Sequence, residues 1–402
     1  MKKGLQLLSI LLMLLLLGPI SSDNMQSSGL QSHLYLCERD YWPTNGWLNT
    51  TPEEQGMDSS LLNEMIDYIE EEDIAINSVV VVKNGYIVLE KYFRSYQNEN
   101  STYALYSVTK SFTSALVGIA VDQGYIDNVS QLVLPFFPEY EIANVDERRE
   151  RITIEDLLTM RSGLFWDESS APFTSPANGI YHLMVRDGVN YTLNLDMVSE
   201  PGTEFLYNTG ASHLLAAIVW KATGMSTLAF AEENLFGPLG IDHVSWYRDA
   251  AGWYRGGFDL ILSTRSMAKF GYLYLNNGTW DGEQILSEEW VQDSIESYTL
   301  LNQYHGYGYQ WHTDPEVGLY YAAGLYGQFI FVIPEHDIVV AFTSNLGIND
   351  PAPHENLVLN YVVAADEGIG DPQLDILPIL TVVLVAPVAI AAVYYVFVLK
   401  RR

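Results

Sequence analysis

A serine and a lysine three positions apart, Ser107 and Lys110, are the residues whose types and spacing best suit chemistry. Three-residue spacing on a helix stacks the two side chains on one face, where a neutral lysine can take the proton of the serine hydroxyl. A helix that begins at this point adds the dipoles of its first amide groups. The pattern therefore predicts nucleophilic catalysis by Ser107.

The chain contains a second copy of this spacing, Ser266 and Lys269. Ser266 stands between Arg265 and Met267 inside a predicted helix, with no predicted strand or aromatic turn before it. Because the spacing alone is a weak signal, the surroundings decide between the copies. We interpret Ser266 as structural and Ser107 as the nucleophile.

The surroundings of Ser107 resemble the serine β-lactamase and penicillin-binding-protein superfamily, in particular class C β-lactamases and the related esterases and 6-aminohexanoate-dimer hydrolases. The resemblance extends from Glu53 to about Asp366 and rests on several blocks in the order of that family. The blocks are YSVTKSF at 106–112, LLTMRSGLFWDE at 157–168, PGTEFLYNTGASHLLAAI at 201–218, the stretch 256–286 that ends in NGTWDGEQIL, and AAGLYGQFIFVIPE at 322–335.

The resemblance implies roles for individual residues. Ser107 matches the nucleophile, Lys110 the lysine that helps to activate it, and Tyr207 a tyrosine that relays a proton between the serine and the leaving group. The family places an asparagine two residues after this tyrosine, whereas here Asn208 follows it directly, so Asn208 is the displaced candidate for a substrate contact. Trp166 matches residues that border the pocket in relatives, and a core tryptophan is the equal alternative.

The third motif of the family, Lys-Thr-Gly in β-lactamases, corresponds here to Ala322-Ala323-Gly324. The lysine that holds the carboxylate of a β-lactam is therefore lost, while Gly324 still lets a strand pass close to a substrate. By the same match, the backbone N–H groups of Ser107 and Leu325 form the oxyanion hole. The resemblance thus implies substrate binding along Ala323, Gly324 and Leu325.

The order of the elements predicts how these residues are brought together. Strand patterns at both ends of the domain and helical periodicity between them predict an α/β (α+β) fold in which an antiparallel sheet is built from both ends of the domain. The resemblance implies that this fold is of the β-lactamase/transpeptidase type. Flanking helices and a mostly helical insertion at roughly 106–300 complete it. The predicted helices span residues 57–70, 109–122, 154–160, 211–222, 264–275, 288–295 and 355–365, and the predicted strands 78–83, 86–93, 306–312, 319–323, 328–333 and 338–344.

The composition excludes several classes of function. The 402 residues include 20 Lys and Arg against 50 Asp and Glu, a net charge of −30, and this disfavours nucleic acid as a partner because phosphate binding needs basic patches. A single cysteine, Cys37, excludes a disulfide framework and a cysteine-rich zinc site. The sequence contains no Gly-x-Ser-x-Gly elbow and no zincin motif. We predict neither a metal nor a cofactor.

The two ends of the chain predict its location. A basic start followed by an apolar run from Leu7 to Leu17 is typical of a secretory signal. The uncharged stretch from Ile376 to Leu399, about 36 Å long as a helix, suits a membrane span, and basic residues follow it. The predicted segments are a signal peptide (1–22), an N-terminal extension (23–52), the hydrolase domain (53–366), a spacer (367–373), a transmembrane helix (374–399) and a cytoplasmic tail (400–402).

These features together predict a membrane-anchored extracellular serine hydrolase. It forms an acyl-enzyme at Ser107 from a small-molecule amide or ester and releases the acyl group to water. One alternative keeps this mechanism but takes peptidoglycan-type peptides or β-lactams, and the missing third-motif lysine counts against it. The other alternative is a non-catalytic surface-binding module that retains the fold, and the presence of Ser107, Lys110 and Tyr207 counts against that.

Overall fold

The computed structural model describes residues 39–143, 146–348 and 352–368, and the structural statements that follow concern these residues. The predicted signal peptide (1–22), transmembrane helix (374–399) and cytoplasmic tail (400–402) lie outside them, as does most of the predicted spacer. Within the described ranges, no single helix has the length and apolar character needed to cross a membrane. One pair, Thr209–Thr223 with Thr227–Phe236, meets that test by length and composition when its two helices, bent by 77°, are taken together.

The strands lie mostly at the two ends of the described region. The strands form where side chains alternate between the two faces with a period of two residues, and turn residues separate one strand from the next. The strands are β1 Ile76–Lys83, β2 Tyr86–Tyr92, β3 Thr102–Ala104, β4 Ser245–Trp246, β5 Leu260–Ser263, β6 Thr279–Trp280, β7 Glu283–Gln284, β8 Thr299–Leu300, β9 Gly306–Tyr307, β10 His312–Asp314, β11 Leu319–Gly324, β12 Gln328–Ile333 and β13 Ile338–Ser344.

Eight of these strands form one antiparallel sheet in the order β2-β1-β13-β12-β11-β10-β9-β8. β1 and β2 come from the start of the domain, and β1 pairs with β13 from its last third. The predicted sheet built from both ends of the domain is therefore confirmed. A three-stranded sheet, β3-β5-β4, and the small hairpin β6-β7 lie within the insertion.

Most of the helices lie in the insertion between the two groups of sheet strands. Two π-helical segments, Glu232–Phe236 and Val358–Val363, continue α-helices. The α-helices are α1 Ser59–Glu71, α2 Thr109–Asp122, α3 Glu147–Glu150, α4 Ile154–Leu158, α5 Gly179–Val185, α6 Gly188–Leu193, α7 Thr209–Thr223, α8 Thr227–Ala231, α9 Thr264–Leu275, α10 Glu288–Ile295, α11 His354–Leu357 and α12 Ala364–Glu367.

Hydrophobic side chains pack on both faces of the eight-stranded sheet. Val80 and Val82 of β1 belong to a large core shared with the helical insertion. Val79 and Val81 belong to a smaller core formed with α1 and the C-terminal helical segment, residues 354–367. Because successive side chains of a strand point to opposite faces, a strand covered on both sides reads as a continuous apolar run. We call the second cluster the outer core.

Residues 39–52, the described part of the predicted N-terminal extension, pack against the large core. The indole N–H of Trp47 donates to the carbonyl oxygen of Arg265 at 3.2 Å. Trp42 contacts Tyr272 with ring centroids 5.7 Å apart. This segment therefore contributes hydrophobic contacts to the same folded unit that holds Ser107.

The prediction of one continuous strand at 306–312 is wrong, because the chain turns between β9 and β10, which hold only the two ends of this range. Gln310 has a positive φ of 64°, which an extended strand does not allow. A β-carbon on Gly308 would lie 2.1 Å from the carbonyl oxygen of Ser294, so the chain presses against α10 at this point. By contrast, the predicted helices 109–122, 264–275 and 288–295 and the predicted strands 328–333 and 338–344 coincide with α2, α9, α10, β12 and β13.

Candidate active site

Ser107 lies in a short 3-10 turn, Tyr106–Val108, that leads directly into α2. Tyr106, the preceding residue, has a positive φ of 47°. Strained backbone of this kind costs about 1–3 kcal/mol and persists where the surrounding structure holds it. Tyr326, also with a positive φ of 61°, meets the Tyr106 ring edge to face at 5.1 Å between centroids. These contacts hold Ser107 at the start of α2, where it is partly exposed.

Lys110 lies one turn further along α2, and only 1% of its surface is exposed. Its Nζ donates to Ser107 Oγ at 3.0 Å and to the carbonyl oxygen of Gly257 at 2.9 Å. Burial lowers the pKa of Lys110 to about 8, and the negative charge of Glu168 opposes this decrease. A considerable fraction of Lys110 is therefore neutral near pH 8 and able to accept a proton from Ser107.

Tyr207 lies beside the same two side chains. Lys110 Nζ is 4.8 Å from the centroid of the Tyr207 ring. Burial and, to a smaller extent, the charge of Glu168 raise the pKa of Tyr207, while an interaction of its hydroxyl with Ser107 acts in the opposite direction. The phenol therefore keeps its proton at neutral pH and can serve as a proton donor. The structure thus brings Ser107, Lys110 and Tyr207 together.

Glu168 is a charged residue of this site that the sequence analysis did not select. Its carboxylate accepts a hydrogen bond from the indole N–H of Trp166 and one from the backbone N–H of Thr209, the latter at 3.4 Å. Its charge influences the pKa of Lys110, Tyr207 and Tyr307. The signal in the sequence was the block LFWDE, in which an acid stands two residues after the tryptophan.

Trp166 supports Glu168 from the core. The indole is 3% exposed and belongs to the large core. A β-carbon on Gly179 would lie 2.7 Å from this ring, and one on Gly210 would lie 2.9 Å from it, so two helices pack closely against the indole. Trp166 therefore acts in this structure as a buried residue that orients Glu168 through its N–H group.

The end of β11 passes directly against the turn that carries Ser107. A β-carbon on Gly324 would lie 2.4 Å from the carbonyl oxygen of Leu105 and 3.3 Å from the side chain of Val108. Glycine is required for this approach, because any side chain would push the strand away. Leu325 begins the turn that follows β11, and Ala323 packs against the outer core. The strand end and the serine turn are therefore neighbours.

Asn208 caps α7. Its side chain is fully buried, and Oδ1 accepts a hydrogen bond from the backbone N–H of Ala211 at 3.1 Å. Its own backbone N–H donates to the sulfur of Met160 at 3.2 Å. Its side-chain Nδ2 is also buried and has no hydrogen-bond partner among the described residues. This geometry therefore gives Asn208 a role in holding Tyr207 at the start of α7.

A buried glutamine, Gln310, connects the elements that surround the site. Its backbone carbonyl accepts a hydrogen bond from Ser111 of α2 at 2.8 Å, and its Oε1 accepts one from Ser212 of α7 at 2.6 Å. Its Nε2 donates to the carbonyl oxygens of Leu157 and Leu158 at 3.1 and 2.7 Å. Gln310 therefore fixes α2, α4 and α7 relative to one another.

Known proteins share both the sequence pattern and the fold. The Beta-lactamase family matches residues 63–364. The chain is 25% identical over 290 residues to the 6-aminohexanoate-dimer hydrolase of Paenarthrobacter ureafaciens, which covers 66% of this chain and 71% of that protein.

Solved structures extend the comparison to the fold. EstCE1, a hydrolase with promiscuous acyltransferase activity, superposes with a TM-score of 0.65 at 16% identity, over 76% of this chain and 98% of that one. The octameric penicillin-binding protein homologue from Pyrococcus abyssi superposes with a TM-score of 0.60 at 22% identity, over 77% of each chain. The β-lactamase/transpeptidase-like fold is thus confirmed. The chain belongs to the Beta-lactamase family, and it is a serine hydrolase.

Proposed function

We propose that the protein hydrolyses an amide or ester bond of a small molecule through an acyl-enzyme at Ser107. The observation that carries the proposal is the 3.0 Å contact between Lys110 Nζ and Ser107 Oγ. Burial lowers the pKa of this lysine to about 8, whereas an exposed lysine, with a pKa of about 10.4, is almost fully protonated at pH 7. Lys110 is therefore the best-placed base for Ser107.

In the proposed acylation, Ser107 Oγ attacks the carbonyl carbon while its proton passes to Lys110 Nζ. The carbonyl oxygen becomes an oxyanion, which the backbone N–H groups of Ser107 and Leu325 stabilise, each contributing roughly 10²–10³ in rate. The bond to the leaving amine or alcohol then breaks as Tyr207 donates its phenolic proton to that group. The Lys110 ammonium returns a proton to Tyr207, so both side chains regain their starting states.

Deacylation uses the same side chains with water as the nucleophile. A water molecule attacks the acyl carbonyl carbon and gives a proton to Lys110. The bond between Ser107 Oγ and the acyl carbon then breaks, and the proton passes from Lys110 to Oγ. The acyl group leaves as a carboxylic acid, and Ser107 is free for another cycle.

The charge around the site favours a neutral or cationic substrate. Beyond the larger effect of burial, the negative charge of Glu168 raises the pKa values of Lys110, Tyr207 and Tyr307, so its field reaches the reacting side chains. Ala322 stands where β-lactamases carry a lysine, and it is 1% exposed. A substrate carboxylate would therefore meet an acid instead of a base. This supports simple amides and esters over β-lactams or acidic peptides.

Hydrolysis and labelling by the purified full-length chain test the proposal. We expect turnover of small neutral esters and amides, reaction with a fluorophosphonate probe, and loss of both in Ser107→Ala. A folded wild-type protein that neither reacts with the probe nor turns over any member of an ester, anilide, peptide and β-lactam panel would favour the surface-binding module. Faster turnover of β-lactams or peptidoglycan peptides than of simple amides would favour the other alternative.

We also propose that the catalytic domain is displayed outside the cell on a C-terminal membrane anchor. The support is the apolar run from Leu7 to Leu17 and the uncharged stretch from Ile376 to Leu399 with basic residues after it. Deletion of residues 374–402 is expected to release a soluble, secreted and active protein. A truncated protein that stays bound to membranes, or is soluble but unfolded, would contradict the anchor.

A further inference from the structure

Three side chains with metal-ligating atoms converge at one end of the sheet. His305, Asp314 and Glu355 each offer one ligand atom, and these atoms all lie within 4.8 Å of one another. His305 precedes β9, Asp314 ends β10, and Glu355 lies in α11. Asp314 pairs with Leu319, a member of the outer core, so the cluster lies on the outer-core face of the sheet.

The imidazole of His305 is buried, and one of its two ring nitrogens makes no hydrogen bond to a described residue. His305 is 7% exposed, and its Nδ1 has no hydrogen-bond partner within the described ranges. Among the described residues, His213 and His336 each lie within 4.0 Å of a carboxylate oxygen, whereas His305 does not. A buried polar atom without a partner destabilises the folded state, and a bound cation would supply that partner.

The two carboxylates of the cluster repel each other. The ligand oxygens of Asp314 and Glu355 lie within 4.8 Å of each other, so their negative charges oppose one another. Among the described residues, no lysine or arginine forms an ion pair with either carboxylate. Asp314 is held in place, because its Oδ1 accepts the backbone N–H groups of Glu316 and Val317, each at 3.1 Å.

A second histidine–carboxylate group on the same chain has its negative charge balanced by a lysine. His336 Nδ1 lies 2.8 Å from Asp366, and Lys83 Nζ lies 2.6 Å from the same carboxylate. Lys83 thus supplies the positive charge there. The cluster of His305, Asp314 and Glu355 has the same types of ligand without a lysine.

We propose that His305, Asp314 and Glu355 bind one divalent transition-metal cation, with Zn²⁺ as the first candidate and Mn²⁺ as the second. One imidazole nitrogen and two carboxylate oxygens suit these cations, whereas Ca²⁺ and Mg²⁺ prefer sites made of oxygen alone. Zinc bonds of about 2.1 Å in tetrahedral geometry place ligand atoms roughly 3.4 Å apart. Binding would therefore draw together ligand atoms that lie within 4.8 Å of one another in this structure.

The bound cation fastens the C-terminal helical segment to the edge of the sheet. Its ligands come from α11, from the end of β10 and from the connection between β8 and β9. β9 and β10 flank the turn of Gln310, which holds α2, α4 and α7 together. The metal therefore stabilises the frame of the site, and no step of the hydrolysis passes through it.

Zinc binding by the full-length chain in detergent tests the proposal. After treatment with EDTA and removal of the chelator, we expect one equivalent of Zn²⁺ to bind in a calorimetric or chelator-competition titration and to raise Tm by several degrees. Asp314→Asn, Glu355→Gln and His305→Gln should each weaken binding at least tenfold. The matched controls, Glu316→Gln and His336→Gln, should bind as the wild type does. Ca²⁺ at the same concentration should leave Tm unchanged.

Two results would overturn the inference. One is the absence of Zn²⁺ and Mn²⁺ binding up to 1 mM, and the other is a bound equivalent that all three variants retain, because the cation would then lie elsewhere. X-ray absorption of the Zn²⁺-loaded wild-type protein gives an answer that does not depend on how the variants fold. One imidazole and oxygen ligands are expected, whereas a sulfur ligand or several imidazoles would contradict the site.

Discussion

Lys110 Nζ donates a hydrogen bond to Ser107 Oγ at 3.0 Å, whereas the serine and lysine of the second copy have separate partners. Ser266 Oγ lies 2.9 Å from Ser263 Oγ at the start of α9. Burial lowers the pKa of both lysines to about 8, so a lowered pKa alone does not mark the catalytic copy. The catalytic copy is distinguished by a serine hydroxyl within hydrogen-bonding distance of the lysine amine. The partners of Lys269 Nζ are the carbonyl oxygens of Thr44, Leu239 and Gly240.

The first prediction concerns pH. If neutral Lys110 is the base, kcat/KM should rise about tenfold per pH unit below pH 8 and level off above it, because the deprotonated lysine is the active form. The measurement is the pH profile for a neutral ester and a neutral amide, with circular dichroism showing that the protein stays folded. Activity that falls between pH 7 and pH 9 would instead assign the protonated lysine to the mechanism.

The second prediction concerns Glu168. Its charge holds the pKa of Lys110 up, so Glu168→Gln should lower that pKa and move the rising limb of the profile to lower pH. Activity at pH 7 should therefore increase relative to activity at pH 9. The same change should lower KM several-fold for a substrate that carries a carboxylate. The control is Glu204→Gln, at an exposed acid. An identical pH profile for both variants would show that Glu168 does not affect the pKa of Lys110.

The third prediction separates the proton donor from the base. Tyr207→Phe should slow acylation by an amide at least ~10²-fold, because a leaving amine needs a proton, and should slow acylation by a p-nitrophenyl ester much less. Lys110→Ala should slow both reactions, and the amide reaction more than Tyr207→Phe does. Single-turnover rates measure these effects, with Tyr307→Phe as the neighbouring control. An amide rate near that of the wild type in folded Tyr207→Phe would leave Lys110 as the sole proton carrier.

Elements with clear local patterns could be predicted from the sequence. The helix at 109–122 and the strand at 328–333 follow from the spacing of their hydrophobic residues. Asn84-Gly85 predicts the hairpin of β1 and β2. The turn between β9 and β10 could not be predicted in this way. It is held by hydrogen bonds from Gln310 to the carbonyl oxygens of Leu157 and Leu158, which are far away along the chain.

The site was predictable where its residues are close in sequence or stand in recognisable blocks. Ser107 and Lys110 are three residues apart, and Tyr207 stands in a block that resembles the family. Gly257, which accepts the second hydrogen bond of Lys110, has no side chain that could mark it. Asn208 became a helix cap because α7 begins at Thr209, two residues before the predicted start.

The identity of the acylated serine tests the central claim most directly. The purified protein is treated with a fluorophosphonate probe, and the adduct is mapped by digestion and mass spectrometry. We predict a single adduct on Ser107, absent from Ser107→Ala, whose turnover should fall by about 10⁶. The adduct should remain in folded Ser266→Ala. An adduct on Ser266, or labelling that persists in folded Ser107→Ala, would contradict the account.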